Sequence, residues 1–544
     1  MKFRILLTAG FAAMAMSIMA QTHAEGEEYY KADQIENAKT LLERNLNNAG
    51  TDKAVSYYYL GQIAMDENKP AEAAKYFDLG AQANPEYAYN YVGLGYIALK
   101  NGDKQLAEKN FKDAESKGKK DAGVQVAVAR AYYDVDPVAY AKEIEKRIAK
   151  ARKINIEDPD SYIFEGDVLR SQKDWGGAGA KYEMAVNYDA NATGAYVKYA
   201  NLFTQVNHQY AINMLTKLLQ ANPSSALGQR ELANAYYNNN NYAKAAEEYG
   251  KYVKNPNHFK EDEDRYAFLL FYDGKYNDGY AYATNLLQAN PDNFSAMRYQ
   301  FMNAAQIPEM ADKLPAMAEA LYAAHLKNPS ANKFAPIDYS LIADEFSKAK
   351  NLEKAVEVLN AGMKVMPENA NFPKQLATVY LDNEDYGKAA DAYLGYIALT
   401  KDPGYNEFTQ EALYAYFGGA QNLLKDPELS KKYFAQATDY ANRASAASPS
   451  QYKPYKILGD IDVATAPTKE EMAKAGVANY EKAITLLEAN PDPRYASDAK
   501  TIYNYLGNHC LDQKDTAKAK EYFNKYLELD PNNADYRKFV EGLK

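Results

Sequence analysis

The sequence predicts an all-α fold, an array of antiparallel helix pairs, and three observations lead to this fold class. One set of residues recurs at an offset of 34: Leu60, Gly61, Ala73 and Phe77 return as Leu94, Gly95, Ala107 and Phe111. Proline cannot continue a helix, and Pro85 closes the first of these copies. No segment alternates apolar and polar residues over the length of a strand.

Residues 1–24 are typical of a secretory leader. Lys2 and Arg4 supply the positive start, and a nearly uncharged apolar stretch runs from Ile5 to Ala20. Cleavage after Ala20 or after Ala24 fits the small residues there. The alternative is an N-terminal anchor, but the apolar stretch is shorter than the roughly 20 residues that span a bilayer. No cysteine lies near the cleavage sites, so we expect a periplasmic or otherwise extracytoplasmic chain that is not a lipoprotein.

Residues 25–53 form an N-terminal helical segment, in which 38–42 predicts a lone second helix that starts the stack. Repeats then follow at 54–119, where a small residue such as Gly95 lets the second helix of a pair approach the first. Further repeats are expected at 159–295, 336–405 and 451–533, the last with an insertion at a turn. Three stretches keep helical periodicity without the full signature and are interpreted as degenerate repeats: 120–158, 296–335 and 406–450. Residues 534–544 predict a capping helix, and the array has about a dozen units.

The copy near the C-terminus carries the pattern most completely, with Leu506, Gly507, Ala519, Phe523 and Pro531 at the recurring positions. This period and these residue types resemble the tetratricopeptide repeat, a helix-turn-helix unit. The resemblance implies a right-handed superhelix whose first helices line a concave groove. It also implies binding of a protein or an extended peptide segment in that groove, with a role in envelope assembly or secretion as the leading hypothesis.

Positions beside the packing residues of the first helices are the candidate groove contacts. They mix aromatic, amide and charged side chains: Tyr58, Gln62, Tyr96, Arg230, Asn234, Tyr237, Lys374, Thr378, Lys456 and Asp460. Tyrosine is the main candidate for binding energy because it offers a large contact area at modest entropic cost and still forms hydrogen bonds. The chain has 50 tyrosines, of which many fall in the core positions of the repeat itself.

Charge and composition exclude several classes of partner. The formal net charge is -10, whereas a nucleic-acid-binding protein needs a basic surface. No segment after the leader is long and apolar enough to suggest a membrane span in the mature chain. The single cysteine, Cys510, has no intramolecular partner for a disulfide, so stability must come from packing.

The sequence shows no catalytic, metal-binding or cofactor-binding motif, and we expect no enzyme activity and no cofactor. His509 beside Cys510 is interpreted as a structural pair, since neighbouring residues point apart on a helix. The acidic run 261–264 lacks the spacing of a calcium loop and is interpreted as a solvated turn. Two alternatives stay open: a glycan-binding helical-repeat protein, whose tyrosines would stack on sugar rings, and an enzyme with a cryptic site.

Overall fold

The computed structural model describes residues 21–204 and 206–543, and all regular elements in these ranges are helical. The all-α prediction is therefore confirmed for this part of the chain. The predicted leader lies almost entirely outside it, because only residues 21–24 of the leader are described. The chain divides into two compact units, the first ending at Asn303 and the second beginning at Ala304.

The first unit consists of eight helix pairs and one further helix among the described residues. They are α1 His23–Lys31, α2 Ile35–Asn45, α3 Lys53–Asp66, α4 Pro70–Ala83, α5 Tyr89–Lys100, α6 Lys104–Lys117, α7 Ala122–Val135, α8 Ala141–Ile154, α9 Pro159–Ser171, α10 Trp175–Tyr188, α11 Thr193–Phe203, α12 His208–Ala221, α13 Ala226–Asn238, α14 Tyr242–Tyr252, α15 Glu263–Tyr272, α16 Tyr276–Ala289 and α17 Phe294–Ala304.

Over its described residues, the second unit begins with one helix, continues with five pairs, one of which has an extra short helix between its members, and ends with a short helix. They are α18 Leu314–Lys327, α19 Pro336–Lys348, α20 Leu352–Val365, α21 Asn371–Asp382, α22 Tyr386–Leu399, α23 Tyr405–Asn422, α24 Pro427–Ala447, α25 Lys453–Thr465, α26 Lys469–Ala475, α27 Val477–Ala489, α28 Ala496–Asp512, α29 Thr516–Leu529 and α30 Ala534–Gly542. The short α26 occupies the predicted insertion between the paired helices α25 and α27, and α23 and α24 form the pair in stretch 406–450.

The turn between the two helices of many pairs has the same two-residue arrangement. A residue with positive φ ends the first helix, and an Asp or Asn beside it caps the second helix with its side chain. Lys173 has a φ of 64° and is followed by Asp174, which accepts a hydrogen bond from the backbone N–H of Gly177. Lys514, with a φ of 59°, and Asp515 do the same before α29. The turn is thus specified locally, which keeps the pairs alike in both units.

The two helices of a pair approach closely where the sequence has its Leu-Gly step. A Cβ added to Gly95 would overlap the buried ring of Phe111, and one added to Gly507 would overlap Phe523. Both phenylalanines are fully buried. The recurrent glycine is therefore required by the aromatic side chain of the facing helix.

The N-terminal segment differs from the prediction of a lone second helix. Helix α1 precedes α2 and packs against it as a full pair. Sequence reasoning missed α1 because its residues carry little of the repeat pattern and partly overlap the predicted leader. Helix α1 also contacts α11 and α13, so the first unit curves back until its first helix meets helices from about 200 residues later in the chain.

Candidate functional site

The inner wall of the first unit is built from the first helices of its pairs. Successive first helices contact one another, α3 with α5, α5 with α7 and α7 with α9. The second helices pack mainly on the first helices to either side. An array that is tighter along one layer curves toward it, so the side chains of the first helices face the concave side.

A cavity of about 240 Å³ lies on this inner wall, closed on one side by the connection between α1 and α2. Helices α3, α7 and α9 supply most of the remaining wall, and α5 and α11 add one residue each. The lining residues are Tyr30, Lys31, Asp33, Ile35, Tyr58, Tyr59, Gln62, Asp66, Tyr89, Gly123, Val126, Ala127, Arg130, Asp134, Asp160, Ile163 and Lys198.

Four tyrosines form a continuous aromatic wall in this cavity. The ring of Tyr30 lies 5.3 Å from that of Tyr59, which lies 5.1 Å from Tyr58, and Tyr58 lies 5.3 Å from Tyr89. The hydroxyl of Tyr58 accepts a hydrogen bond of 2.8 Å from the amide of Gln62. Burial raises the pKa of Tyr58 to about 12, so its hydroxyl stays neutral at physiological pH. The wall therefore offers uncharged aromatic faces.

The basic side chains of the cavity are already paired with carboxylates. Lys31 lies 3.0 Å from Glu27, and Lys198 forms ion pairs of 3.0 Å with Asp33 and 2.8 Å with Asp167. The same Asp167 accepts from the guanidinium of Arg130 at 2.9 Å. Desolvation alone would raise the pKa of Asp167. The attraction of Lys198 and Arg130 is stronger and keeps this pKa below its usual value.

Asp66 and Asp134 differ from the other carboxylates that line the cavity, because neither has an ion pair within the described residues. Asp66 accepts one hydrogen bond, from the hydroxyl of Tyr30 at 3.2 Å. Desolvation, together with the negative charges of Asp66 and Asp167, raises the pKa of Asp134 to about 6, against the attraction of Arg130 and Lys100. Desolvation also raises the pKa of Asp66. Both carboxylates remain accessible to water on the concave side.

A second set of polar contacts joins the N-terminal pair to the start of α13. The carboxylate of Glu25 accepts from the backbone N–H of Leu227 at 2.9 Å, and Glu28 accepts from the hydroxyl of Ser225 at 2.8 Å. Desolvation and the adjacent Glu28 together raise the pKa of Glu25 to about 8. Arg230 is engaged as well, since it binds Asp262 at 2.7 Å and Gln34 at 3.2 Å.

The structure brings together only some of the predicted groove residues. Tyr58 and Gln62 line the cavity, and Tyr96 is buried close by, where burial and the charges of Asp134 and Asp66 raise its pKa. Arg230 belongs to the contacts of the N-terminal pair, which occupy its guanidinium. Asn234 and Tyr237 lie further along α13, and Arg265 stacks on the ring of Tyr237 at 4.7 Å.

The four predicted residues of the second unit are not among the residues that line this cavity. Lys374 and Thr378 are exposed on α21, with the ammonium of Lys374 over the ring of Tyr396. Lys456 and Asp460 on α25 form an ion pair of 2.7 Å with each other. Their role in binding stays a prediction.

Sequence reasoning missed Asp66, Tyr30, Arg130 and Asp134. Asp66 follows Gln62 by one helical turn on α3, so extension of the predicted face by four residues would have found it. Arg130 and Asp134 lie on α7, inside the degenerate stretch 120–158, where no aligned repeat position identifies the inner face. Tyr30 lies on α1, which was not predicted as a helix.

An apolar groove of about 950 Å³ lies beside the degenerate pair α7 and α8, where α8 makes few contacts with α9. Ile144 and Ile148 from α8 face Phe164 and Val168 from α9. The charges at its rim, Glu165 with Arg152 and Lys181, pair with one another. The groove therefore offers an apolar surface without a charge preference.

The other features considered from the sequence have structural explanations. Cys510 is buried with Ala519 and Phe523. Asp262 of the acidic run holds Arg230 and the hydroxyl of Tyr252. Across the described ranges no group of three or more His, Cys, Asp or Glu residues has the arrangement of a metal site. Within residues 21–204 and 206–543, none of the helices combines the length and apolar character needed to cross a membrane.

Comparison with known proteins finds the repeat in three segments. Residues 58–125 and 202–258 match one family profile described as a tetratricopeptide repeat, and residues 501–533 match a second profile with the same description. The matched segments lie in both units and together cover well under half of the chain.

One sequence relative is ER membrane protein complex subunit 2-B of Xenopus laevis. It is 27% identical over 192 residues, which are 35% of this chain and 57% of that protein, so the chain spans little more than half of the relative's length. Among solved structures, the C-terminal part of a TPR repeat-containing protein from Cytophaga hutchinsonii is 16% identical over 52% of this chain and 100% of that one, with a TM-score of 0.39. Yeast Tom70 is 14% identical over 85% of this chain and 91% of that one, with a TM-score of 0.28.

Proposed function

Because this chain is a tetratricopeptide-repeat protein, we propose that it is a non-catalytic scaffold that holds an extended segment of a partner protein on the inner wall of its first unit. Repeat scaffolds of this kind present long concave surfaces for binding. The observation that carries the proposal is the cavity on the inner wall, where four tyrosine rings meet carboxylates without a basic partner. Such a surface offers the aromatic contact area that is typical of binding hot spots, next to carboxylates that can pair with a cationic group.

The position of the cavity supports a segment rather than a folded domain as the ligand. Its walls come from α3, α7, α9 and the connection after α1, so a ligand must enter a curved, narrow space. An extended chain can follow such a surface and insert single side chains, whereas a folded domain presents a convex face.

We also propose that the chain is exported and cleaved after Ala20, where a partner would be a protein of the cell envelope. Residues just after this position belong to the fold. Gln21 donates to the carbonyl oxygen of Pro256 at 2.6 Å, Thr22 caps α1, and His23 accepts from the backbone N–H of Asp52 at 3.0 Å. Cleavage after Ala24 would remove all three contacts. The intact mass of the protein recovered from the periplasm tests this: a chain that starts at Gln21 is expected, and a full-length cytoplasmic chain would contradict export.

The binding proposal is tested by site-specific photocrosslinking in the native cell. A photoreactive amino acid replaces Gln62 on the inner wall or, as the matched control, the exposed Lys75 on the outer helix α4. We expect the Gln62 derivative to crosslink to one defined segment of one partner, identified by mass spectrometry of the crosslinked peptide. The Lys75 derivative should not give this product.

Two outcomes would contradict the proposal. One is a crosslink of equal yield from both positions, which indicates collision rather than binding. The other is a crosslink from Gln62 to a glycan or to a small molecule, which indicates a different class of ligand on the same surface.

A further inference from the structure

The inner wall of the first unit carries an unequal distribution of charge. Among the described residues of the cavity and their ion-pair partners, each of the basic side chains Lys31, Arg130 and Lys198 already has a carboxylate partner. Within the described residues, neither Asp66 nor Asp134 forms an ion pair: Asp66 accepts a hydrogen bond from Tyr30, and Arg130 and Lys100 attract both carboxylates without pairing with them. The residual charge of this surface is therefore negative, and it is concentrated at two carboxylates rather than spread over a solvated face.

These two carboxylates lie at one place beside aromatic rings. Asp66 on α3 and Asp134 on α7 both line the cavity, and the charge of Asp66 acts on Asp134. Tyr30 donates to Asp66, and its ring lies 5.3 Å from the ring of Tyr59 in a tilted arrangement, next to Tyr58 and Tyr89 of the aromatic wall. A cation placed here would meet carboxylates and aromatic faces together.

We infer that the cavity binds the guanidinium group of an arginine side chain in the partner segment. A guanidinium is planar, forms paired hydrogen bonds with carboxylates and stacks on aromatic rings, which matches the two kinds of wall present. This inference rests on the proposed function, since it names the side chain by which the segment is recognised. A lysine ammonium would satisfy the carboxylates but would use the flat aromatic wall less well.

The crowding of the two carboxylates supports this assignment. Protein atoms around Asp134 raise its pKa to about 6, and the pKa of Asp66 is raised as well, so the ionised form of each carboxyl group is disfavoured by its surroundings. A bound cation would stabilise the ionised form. Residues that are unfavourable for the free protein and favourable for a complex are typical of binding sites.

Neither a neutral sugar nor an anionic ligand fits this wall as well. A sugar would stack on the tyrosines but would leave Asp66 and Asp134 without an ion pair. An anion would face the same two carboxylates, while the basic groups that line the cavity are already paired. Charge complementarity therefore selects a cationic group.

The experiment measures binding of small probes to the full mature chain by ligand-observed NMR and calorimetry. The probes are Nα-acetyl-arginine N-methylamide, the neutral isostere Nα-acetyl-citrulline N-methylamide, and agmatine as a free small cation. The variants are Asp66→Asn/Asp134→Asn and, as the matched control, Asp78→Asn/Asp113→Asn on the outer helices α4 and α6, which removes the same charge. Circular dichroism melting checks that both variants are folded.

We expect the capped arginine to bind saturably, about tenfold or more tighter than the citrulline probe, because only the charged group pairs with the carboxylates. The inner double variant should lose about tenfold or more in affinity, and the outer double variant should bind like the parent protein. Equal binding of the arginine and citrulline probes, or equal binding to both double variants, would overturn the inference. Agmatine that binds about tenfold or more tighter than the capped arginine would also overturn it, because the site would then favour a free small cation.

Failure of this inference differs from failure of the proposed function. If the Gln62 crosslink identifies a partner segment but the probes fail as described, the scaffold function stands and the recognised side chain is another one. If the probes bind as expected but no segment crosslinks, the cavity binds a cation that does not belong to a partner protein, and the inference about the partner is wrong.

Discussion

The two units are built from the same repeat, but the carboxylates on their first helices differ in their partners and in their exposure. In the second unit, Asp460 pairs with Lys456 at 2.7 Å and accepts from the hydroxyl of Tyr480 at 2.8 Å. Asp498 likewise pairs with Lys453 at 2.7 Å. Among the described residues of the first unit, Asp66 and Asp134 have no ion pair of this kind, although Tyr30 donates to Asp66. Within the described part of the second unit, Glu411 of α23 likewise has no ion pair, but it is fully buried and accepts from Gln436, whereas Asp66 and Asp134 are exposed and line one cavity. The repeat is thus common to both units, and the two accessible carboxylates of the cavity distinguish the first unit.

A second difference lies in contacts that are remote in sequence. Glu25 and Leu227 lie 202 residues apart and form a hydrogen bond of 2.9 Å. This contact and its neighbours fix the N-terminal pair against α11 and α13, and the connection after α1 closes one side of the cavity. The cavity therefore depends on how the first unit curves as well as on its repeats.

Breaking the remote contact should affect the first unit most strongly. Glu25→Lys would place a buried positive charge at the N-terminus of α13, where the helix dipole is also positive, and we expect a loss of about 3 kcal/mol in stability. Hydrogen exchange should speed up in α1 and α13 and stay unchanged in α19–α22. Glu25→Gln is the control, because it keeps the shape and the neutral state and should leave exchange near that of the parent. Unchanged exchange in α1 with the lysine variant would show that the contact does not hold the pair.

Overpacking the contact between the two helices of a pair should destabilise both units alike. Gly95→Ala and Gly507→Ala place a methyl group against the rings of Phe111 and Phe523, and overpacking of this kind costs about 1–3 kcal/mol. Thermal melting and hydrogen exchange should localise each loss to the mutated pair and its neighbours. Gly176→Ala is the control, because its nearest neighbouring atom beyond Asp174 lies further than 4 Å and helix propensity favours alanine. A melting temperature unchanged by Gly95→Ala would rule out close approach at this step.

The docking of the N-terminal pair should weaken as the pH rises. The pKa of Glu25 is raised from 4.5 to about 8 by desolvation and by Glu28, against the hydrogen bonds from Leu227 and Ala226. A carboxyl with a raised pKa stabilises the docked state fully below about 4.5, and this contribution is lost as the pH rises through about 8. After correction for intrinsic rates, exchange in α1 should therefore be faster at pH 9 than at pH 6. Glu25→Gln should reduce this dependence, and an equal dependence in both proteins would point to another group.

The smallest effect is expected at Asp134. Its pKa is raised to about 6 by desolvation, Asp66 and Asp167, while Arg130 and Lys100 act in the opposite direction. The sign follows from the raised pKa: the ionised carboxylate is the unfavourable form, so stability from this group is lost as the pH rises through about 6. Asp134→Asn should therefore raise the melting temperature slightly at pH 8 and leave it unchanged at pH 4. A lower melting temperature at pH 8 would show that the carboxylate has a stabilising partner.

The helix pairs could be predicted from the sequence because the residues that specify each pair lie within that pair. The Leu-Gly step, the facing aromatic residue and the capped turn act within one pair, so local pattern is sufficient to place α3, α4, α28 and α29. The same pattern placed Tyr58 and Gln62 on the inner wall. These local patterns do not indicate which repeats contact each other when they are far apart in the sequence.

The remaining parts of the site depend on such remote contacts. The pairing of Arg230 with Gln34 joins residues 196 positions apart, and nothing near Arg230 in the sequence indicates that its guanidinium is occupied. Asp134 lies in a stretch without the repeat signature, where the helical face turned inward cannot be read by alignment. The lack of an ion pair at Asp66 is likewise visible only once the positions of Lys31, Arg130 and Lys198 are known.

The most direct test of the central claim is the affinity of the crosslinked partner segment, made as a synthetic peptide, for the two double variants. If the inner wall of the first unit is the binding site, Asp66→Asn/Asp134→Asn should weaken binding about tenfold or more, through loss of charge-assisted hydrogen bonds. Asp78→Asn/Asp113→Asn should bind the peptide as the parent protein does. Equal affinity of all three proteins would contradict the account, because the segment would then bind without using the two carboxylates.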